Sequence, residues 1–172
     1  MRSTALLTAA VALLFALPLS ASEITRDAIV AAMNACRTKA GVAPLREEPR
    51  LEAAAEDRMT DMEDQGYWGH ESPQGTSPFV WLRPHGYEYR FAGENLATGF
   101  DTTELLLQGW MESPGHRENI LSPDYSDCGI AIIDGGTVGP KDGKSVVVLF
   151  GTAKNPNLVT PTAAKSGSVS RP

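Results

Sequence analysis

Residues 110–121 read Trp110-Met111-Glu112-Ser113-Pro114-Gly115-His116-Arg117-Glu118-Asn119-Ile120-Leu121, and the chain changes character across them. Before this stretch, apolar residues recur with a helical period. After it come two β-like runs, 128–133 and 145–150, joined by a turn-rich connection containing Gly135-Gly136 and Lys141-Asp142-Gly143. Pro114 and Gly115 interrupt the helix that passes through Leu105, Leu106 and Trp110, and a short turn from His116 to Leu121 follows. Ser113 ahead of Pro114 fits a helix N-cap with proline at the first helical position. Helices first and strands last, with no βαβ alternation, predict an α+β domain: a mainly antiparallel sheet covered by helices.

Toward the amino terminus, Asp101-Thr102-Thr103-Glu104 fits a capping box, an acceptor followed three residues later by a carboxylate. Residues 67–99 are dense in Gly, Pro, Ser and aromatics and alternate poorly, which predicts ordered loop with a short helix near 77–82. Leu51, Ala54, Ala55, Met59 and Met62 share one helical face, charged on the other side and stopped by Gly66. Thr25 and Asp27 suit the start of an earlier helix through Ile29, Ala32, Met33 and Cys36, ending at Gly41. Arg2, an apolar run over 5–19 and the small residues Ser20-Ala21-Ser22 read as a secretory signal peptide over residues 1–21. That run is shorter than the ~20 residues a spanning helix needs. The expected organisation is a signal at 1–21, one domain at 22–154 and a frayed tail at 155–172, in an exported protein, periplasmic or extracellular, without an integral membrane segment.

Composition narrows the classes further. The 172 residues are 42% apolar and 21% charged, which is one globular domain with enough apolar residues for a core and excludes disordered or collagen-like architecture. The 21 acidic residues outnumber the 15 basic ones, giving a net charge of −6, and all the acids lie between Glu23 and Asp142. Such a surface repels phosphate backbones and anionic lipid headgroups, so no nucleic-acid partner is expected. The two cysteines, Cys36 and Cys128, predict one disulfide in an exported protein. Closing so long a loop would contribute roughly 4–5 kcal/mol. The alternative is two separately buried thiols. Two cysteines cannot form a Cys-rich zinc site, so any metal would be held by histidines and carboxylates.

Histidine is scarce. His70 lies in Gly69-His70-Glu71-Ser72-Pro73-Gln74-Gly75, and His116 in the stretch quoted first. Between them Gly93-Glu94-Asn95-Leu96-Ala97-Thr98-Gly99 places a carboxylate among glycines that let backbone approach a ligand. Imidazoles with a carboxylate suit Zn²⁺ or another divalent cation, or acid–base work near neutral pH; the alternative is ordinary loop histidines. No His-Glu-x-x-His, Gly-x-Ser-x-Gly, Ser-x-x-Lys or Walker A pattern occurs. His116-Arg117-Glu118 has the His-x-Glu of zinc deaminases but lacks their Pro-Cys-x-x-Cys.

In that order, these segments resemble the CAP superfamily (cysteine-rich secretory proteins, antigen 5 and pathogenesis-related proteins; the SCP domain), most closely its bacterial secreted branch. The resemblance runs from about Ile24 to Lys154. It rests on Asn34 and Arg37 with Gly41-Val42-Ala43-Pro44-Leu45, on His-x-Ser-Pro-x-Gly at His70, and on Gly86-Tyr87. Gly-Glu-Asn-Leu-Ala at Glu94, Trp-Met-x-Ser-Pro-Gly-His-Arg-x-Asn-Ile-Leu at Trp110 and Leu149-Phe150-Gly151 complete it. It implies a three-layer α-β-α sandwich whose cleft surrounds a His/Glu/Glu/His tetrad that holds a divalent cation in some members.

His70, Glu94 and His116 match the first His, the first Glu and the last His. The second Glu position, three after the helix Trp, is Ser113, as in the bacterial pattern. Glu112 is one residue off and points about 100° away along a helix. Glu118 is a candidate replacement ligand, the alternative being a solvent-facing first-turn carboxylate. The resemblance implies a secreted module that binds a small apolar ligand (a lipid or sterol) or a protein partner. Two alternatives stand beside it: a metal-dependent hydrolase with Glu94 as base on a water polarised by metal at His70 and His116, and a structural or host-facing protein with a vestigial cleft. His85 matches no tetrad position and is expected on the surface. Trp81, Trp110 and Phe150 are expected in the core, and Tyr67 and Trp68 either in the core or on the cleft.

Overall fold

The computed structural model describes residues 22–135, 138 and 143–155; the expected signal and most of the expected tail lie outside them. Helix α1 (Arg26–Lys39) starts where the Thr25 side chain accepts the Ala28 N–H at 3.2 Å, and it buries Ile29, Val30, Met33 and Arg37. Helix α2 (Pro49–Gln65) has Glu48 as N-cap and Pro49 in its first turn, and ends at Gly66 in the left-handed conformation, φ 67°. Between them strand β1 (Arg46–Glu47) pairs parallel with β3 (Asp127–Asp134), in register Arg46 to Asp127. A 3₁₀ turn over Pro78–Trp81 meets the short helix expected there.

Strand β2 (Tyr89–Phe100) runs antiparallel to β4 (Lys144–Ala153), which pairs antiparallel with β3 on its other side, so the sheet order is β1-β3-β4-β2. The α-β-α sandwich is as expected, with two corrections. The sheet is mixed rather than mainly antiparallel, because the chain leaving α1 turns directly alongside β3 in the same sense. Arg46 N–H donates to Ser126 O at 2.9 Å and Glu48 N–H to Cys128 O at 2.8 Å. Residues 89–99, expected as loop, form nearly all of its longest described strand, β2. Five consecutive positions, Gly93 to Ala97, are buried because both faces are covered, which removes the period-two alternation that would mark a strand.

Alternation along β4 assigns the two cores. Val146, Val148 and Phe150 face α1, α3 (Thr103–Glu112) and α4 (Pro114–Leu121); Val147 and Leu149 face α2 with Leu51, Ala55 and Met62. Gly129 lets α2 lie on the sheet, since a Cβ there would fall 2.1 Å from Glu52 N and Leu51 C. The N-cap of α3 is displaced by one residue from the expected Asp101, and the reciprocal box does not form. Thr102, not Asp101, accepts the Leu105 N–H at 3.2 Å, and the Glu104 carboxylate instead takes the Ser22 N–H and hydroxyl, the latter at 2.7 Å.

No disulfide forms. Cys36, half-buried on α1, and Cys128, buried at the start of β3, both pack into the α1-side core as free thiols. Burial pushes the Cys128 thiol up to about 12, so it carries no thiolate to open an exchange reaction. Among the described residues no helix is long and apolar enough to cross a membrane.

Candidate functional site

The site is built on β2. Glu94 sits in its buried stretch with its side chain only 2% exposed. A carboxylate this deep needs donors on both oxygens. One oxygen, Oε2, accepts from Arg58 Nε at 3.1 Å; the other, Oε1, lies 2.8 Å from His70 Nδ1. Because a carboxylate only accepts, Nδ1 carries the imidazole proton and Nε2 is turned to the half-open side, where the His70 side chain is 57% exposed. Arg58 belongs to α2 and is itself 1% exposed; its other guanidinium nitrogens donate to the Tyr67 hydroxyl and to Gly69 O, the carbonyl just before His70. Tyr67 in turn donates to Asp61. One arginine therefore holds both the carboxylate and the loop that presents the imidazole.

The opposite wall comes from α4. The His116 ring lies 6.5 Å from that of His70 and 6.5 Å from the Trp110 ring, centroid to centroid. Three side chains from this layer take alternate carbonyls along β2. Tyr125 Oη donates to Ala92 O at 3.2 Å, Asn119 Nδ2 to Glu94 O at 3.0 Å, and Trp110 Nε1 to Leu96 O at 3.1 Å. Asn119 Nδ2 also donates to Asn95 Oδ1, and Asn95 Nδ2 to His116 O, at 2.9 and 3.1 Å. Gly93 makes this approach possible: a Cβ there would lie 2.5 Å from Tyr125 Oη. The result is a cleft of about 380 Å³ with His70, Glu94 and Asn119 on its polar side and Pro78, Phe79, Ala92 and Tyr125 supplying apolar surface. The two imidazoles titrate apart. The hydrogen bond to Glu94 raises the pKa of His70, and burial, with the neighbouring His70 charge, lowers that of His116.

Residues 30–149 match the CAP family, described as the cysteine-rich secretory protein family. The chain belongs to it. The CAP domain of this chain is 38% identical over 110 residues to an uncharacterized Bacillus subtilis protein, YkwD, covering 64% of this chain and 43% of the relative. It is 29% identical over 99 residues to an uncharacterized B. subtilis membrane protein, YlbC, covering 58% and 29%. It thus spans less than half the length of the curated relatives it matches. Among solved structures it is similar to an outer surface protein of Borrelia burgdorferi, with a TM-score of 0.65 at 20% identity over 78% of this chain and 99% of that one. It is also similar to an extracellular SCP-domain protein of Bacillus anthracis, with a TM-score of 0.61 at 25% identity over 73% and 40%.

Within the CAP fold, His70 pairs with Glu94 and its ring lies beside that of His116, which does not itself line the cleft. The other residues singled out from the sequence lie elsewhere. Ser113 is the N-cap residue of α4 with Pro114 following, but its hydroxyl makes no capping hydrogen bond. Glu112 accepts from Gln108 Nε2 at 2.8 Å, and Glu118 is exposed on α4. His85, half-buried, pairs with Asp57 at 2.7 Å. Trp110 and Phe150 are buried, while Tyr67, Trp68 and Trp81 pack partly buried against the α2-side core.

The donor set does not fit a three-residue zinc site. Both Glu94 oxygens are taken by Arg58 and His70, and the second carboxylate position is a serine. Among the described residues no three His, Cys, Asp or Glu side chains are grouped to hold a metal. Arg58, which organises the site, is absent from a histidine-and-carboxylate reading of the sequence, whereas Tyr67 is expected in the core or on the cleft and Asn119 stands within the matched motif. One signal does point to Arg58. It falls at i+4 from Ala54 and four before Met62, inside the apolar stripe of α2, where a charge is buried and must be paired.

Proposed function

We propose that this CAP domain is an exported binding module whose cleft takes a small amphipathic ligand, a fatty acid or sterol, without turning it over. The observation that carries the reading is the cleft itself. An apolar surface from Pro78, Phe79 and Tyr125 faces a rigid polar edge at His70 and Asn119, and its volume is within the range of small-molecule sites. A polar head would meet His70 Nε2, and an apolar body would lie over Phe79. Glu94 is poorly placed as a general base, because both its oxygens already accept strong donors. Export is supported by the signal-like run at residues 1–21 and by the descriptions of two structural relatives as an outer surface and an extracellular protein.

The test is a titration of the protein with palmitate and with cholesterol, read by thermal midpoint and tryptophan fluorescence. A saturable rise in midpoint that weakens in Phe79→Asp is expected. No change in either signal at saturating ligand overturns the reading.

A further inference from the structure

We infer that Arg58 is the site's built-in cation, a specificity-determining residue that reserves Glu94 for His70 and keeps divalent metal ions out of the cleft. The inference does not depend on which amphiphile the cleft takes. A carboxylate as buried as Glu94 needs a positive group standing against it. In a metal-binding arrangement the metal supplies that charge; here Arg58 Nε does, at 3.1 Å, from a side chain as buried as the carboxylate. All three branches of the guanidinium are committed, to Glu94, Tyr67 and Gly69 O, so the group cannot swing aside to admit a second cation.

Two consequences oppose a metal. A divalent ion between His70 and His116 would lie beside a fixed guanidinium and be repelled by it. It would also find Glu94 unavailable as a ligand, leaving, of the three residues His70, Glu94 and His116, two imidazoles 6.5 Å apart, centroid to centroid. The missing second carboxylate at Ser113 and the presence of Arg58 are then one arrangement: Glu94 already has its counterion in Arg58, whose guanidinium also lies 3.6 Å from Asp61.

Zinc titration of the intact protein against a chromophoric chelator tests this. Arg58→Met, which keeps the length and removes the charge, should bind Zn²⁺ at least about tenfold tighter than the natural protein. Adding His116→Ala to that variant should abolish the gain. Arg58→Lys, which keeps the charge, should show no gain. Wild type binding zinc as tightly as Arg58→Met, or a gain that survives His116→Ala, overturns the inference. Should Arg58→Met fail to fold, His70 provides a second arm because it is largely exposed. His70→Ala should leave the zinc affinity of the natural protein unchanged, and a loss of about tenfold would show a working metal site despite Arg58 and overturn the inference.

Discussion

Two arginines, Arg37 and Arg58, are each 1% exposed, and they show how a buried charge organises this molecule. Arg37 on α1 donates to four carbonyls: Ala43 at 2.7 Å, Ile120 and Ser122 at 2.9 Å, and Tyr125 at 2.8 Å. Those carbonyls belong to the exit of α1, to the last turn of α4 and to the segment between α4 and β3, so one side chain joins three parts of the chain. Arg37→Met should cost about 3 kcal/mol or more in urea unfolding, because each carbonyl loses a charged donor inside the protein. Arg37→Lys should recover little of it, lacking the planar fork.

At the site, protonated His70 is favoured in the folded chain. Its contact with Glu94 therefore adds stability below the ordinary histidine range and loses it as pH rises through the raised folded value. His116 has the opposite sign: burial disfavours its charge, so acidification through the ordinary range lowers stability. A histidine NMR titration should place His70 above His116, and Glu94→Gln should bring the His70 midpoint down. An unmoved midpoint would disprove the coupling. The histidines and Glu94 were legible because each stands in a motif of unusual residues. Arg37 and Arg58 were not read as buried, because a charged residue on a helix is ordinarily solvated and only its place on the apolar stripe betrays it.

At the scale of elements, both main helices before residue 66 follow from periodicity, and both terminal strands from continuous runs rich in Val and Ile, buried on both faces. Strand β2 does not. Its middle, Gly93-Glu94-Asn95-Leu96-Ala97, is built mostly from residue types depleted in strands and is covered on both sides, so neither propensity nor alternation marks it. What makes it a strand is its register with β4, Gly93 to Phe150 and Leu96 to Val147, a long-range pairing that local composition does not encode.

Glycines test the packing of these elements. Gly129→Ala should destabilise by about 3 kcal/mol or more, because the new methyl meets the backbone of α2, which cannot step aside. Gly115→Ala on α4 is the control. A Cβ there meets nothing within 4 Å, and the substitution should be neutral or stabilise by about 0.4–1 kcal/mol. Comparable midpoints for the two variants would refute the close approach of α2. Asn119→Ala should cost about 1–3 kcal/mol, since it frees Glu94 O and Asn95 Oδ1 together.

For the molecule as a whole, stability rests on the two cores on either face of the sheet and not on a covalent staple. The even cysteine count misled because it carries no information on whether two side chains meet. Alkylation in denaturant without reductant should therefore label two thiols per chain, while in the native protein Cys128 should react far more slowly than in denaturant. A mass showing no adduct under denaturing conditions would restore the bridge.

The two borders of the sheet are unlike. Tyr125, Asn119 and Trp110 occupy the outward carbonyls of β2, and at the other border β1 is only two residues long. The β2 margin therefore offers a neighbouring molecule no free row of carbonyls on which to zip up another strand, and growth of the sheet from that side is closed.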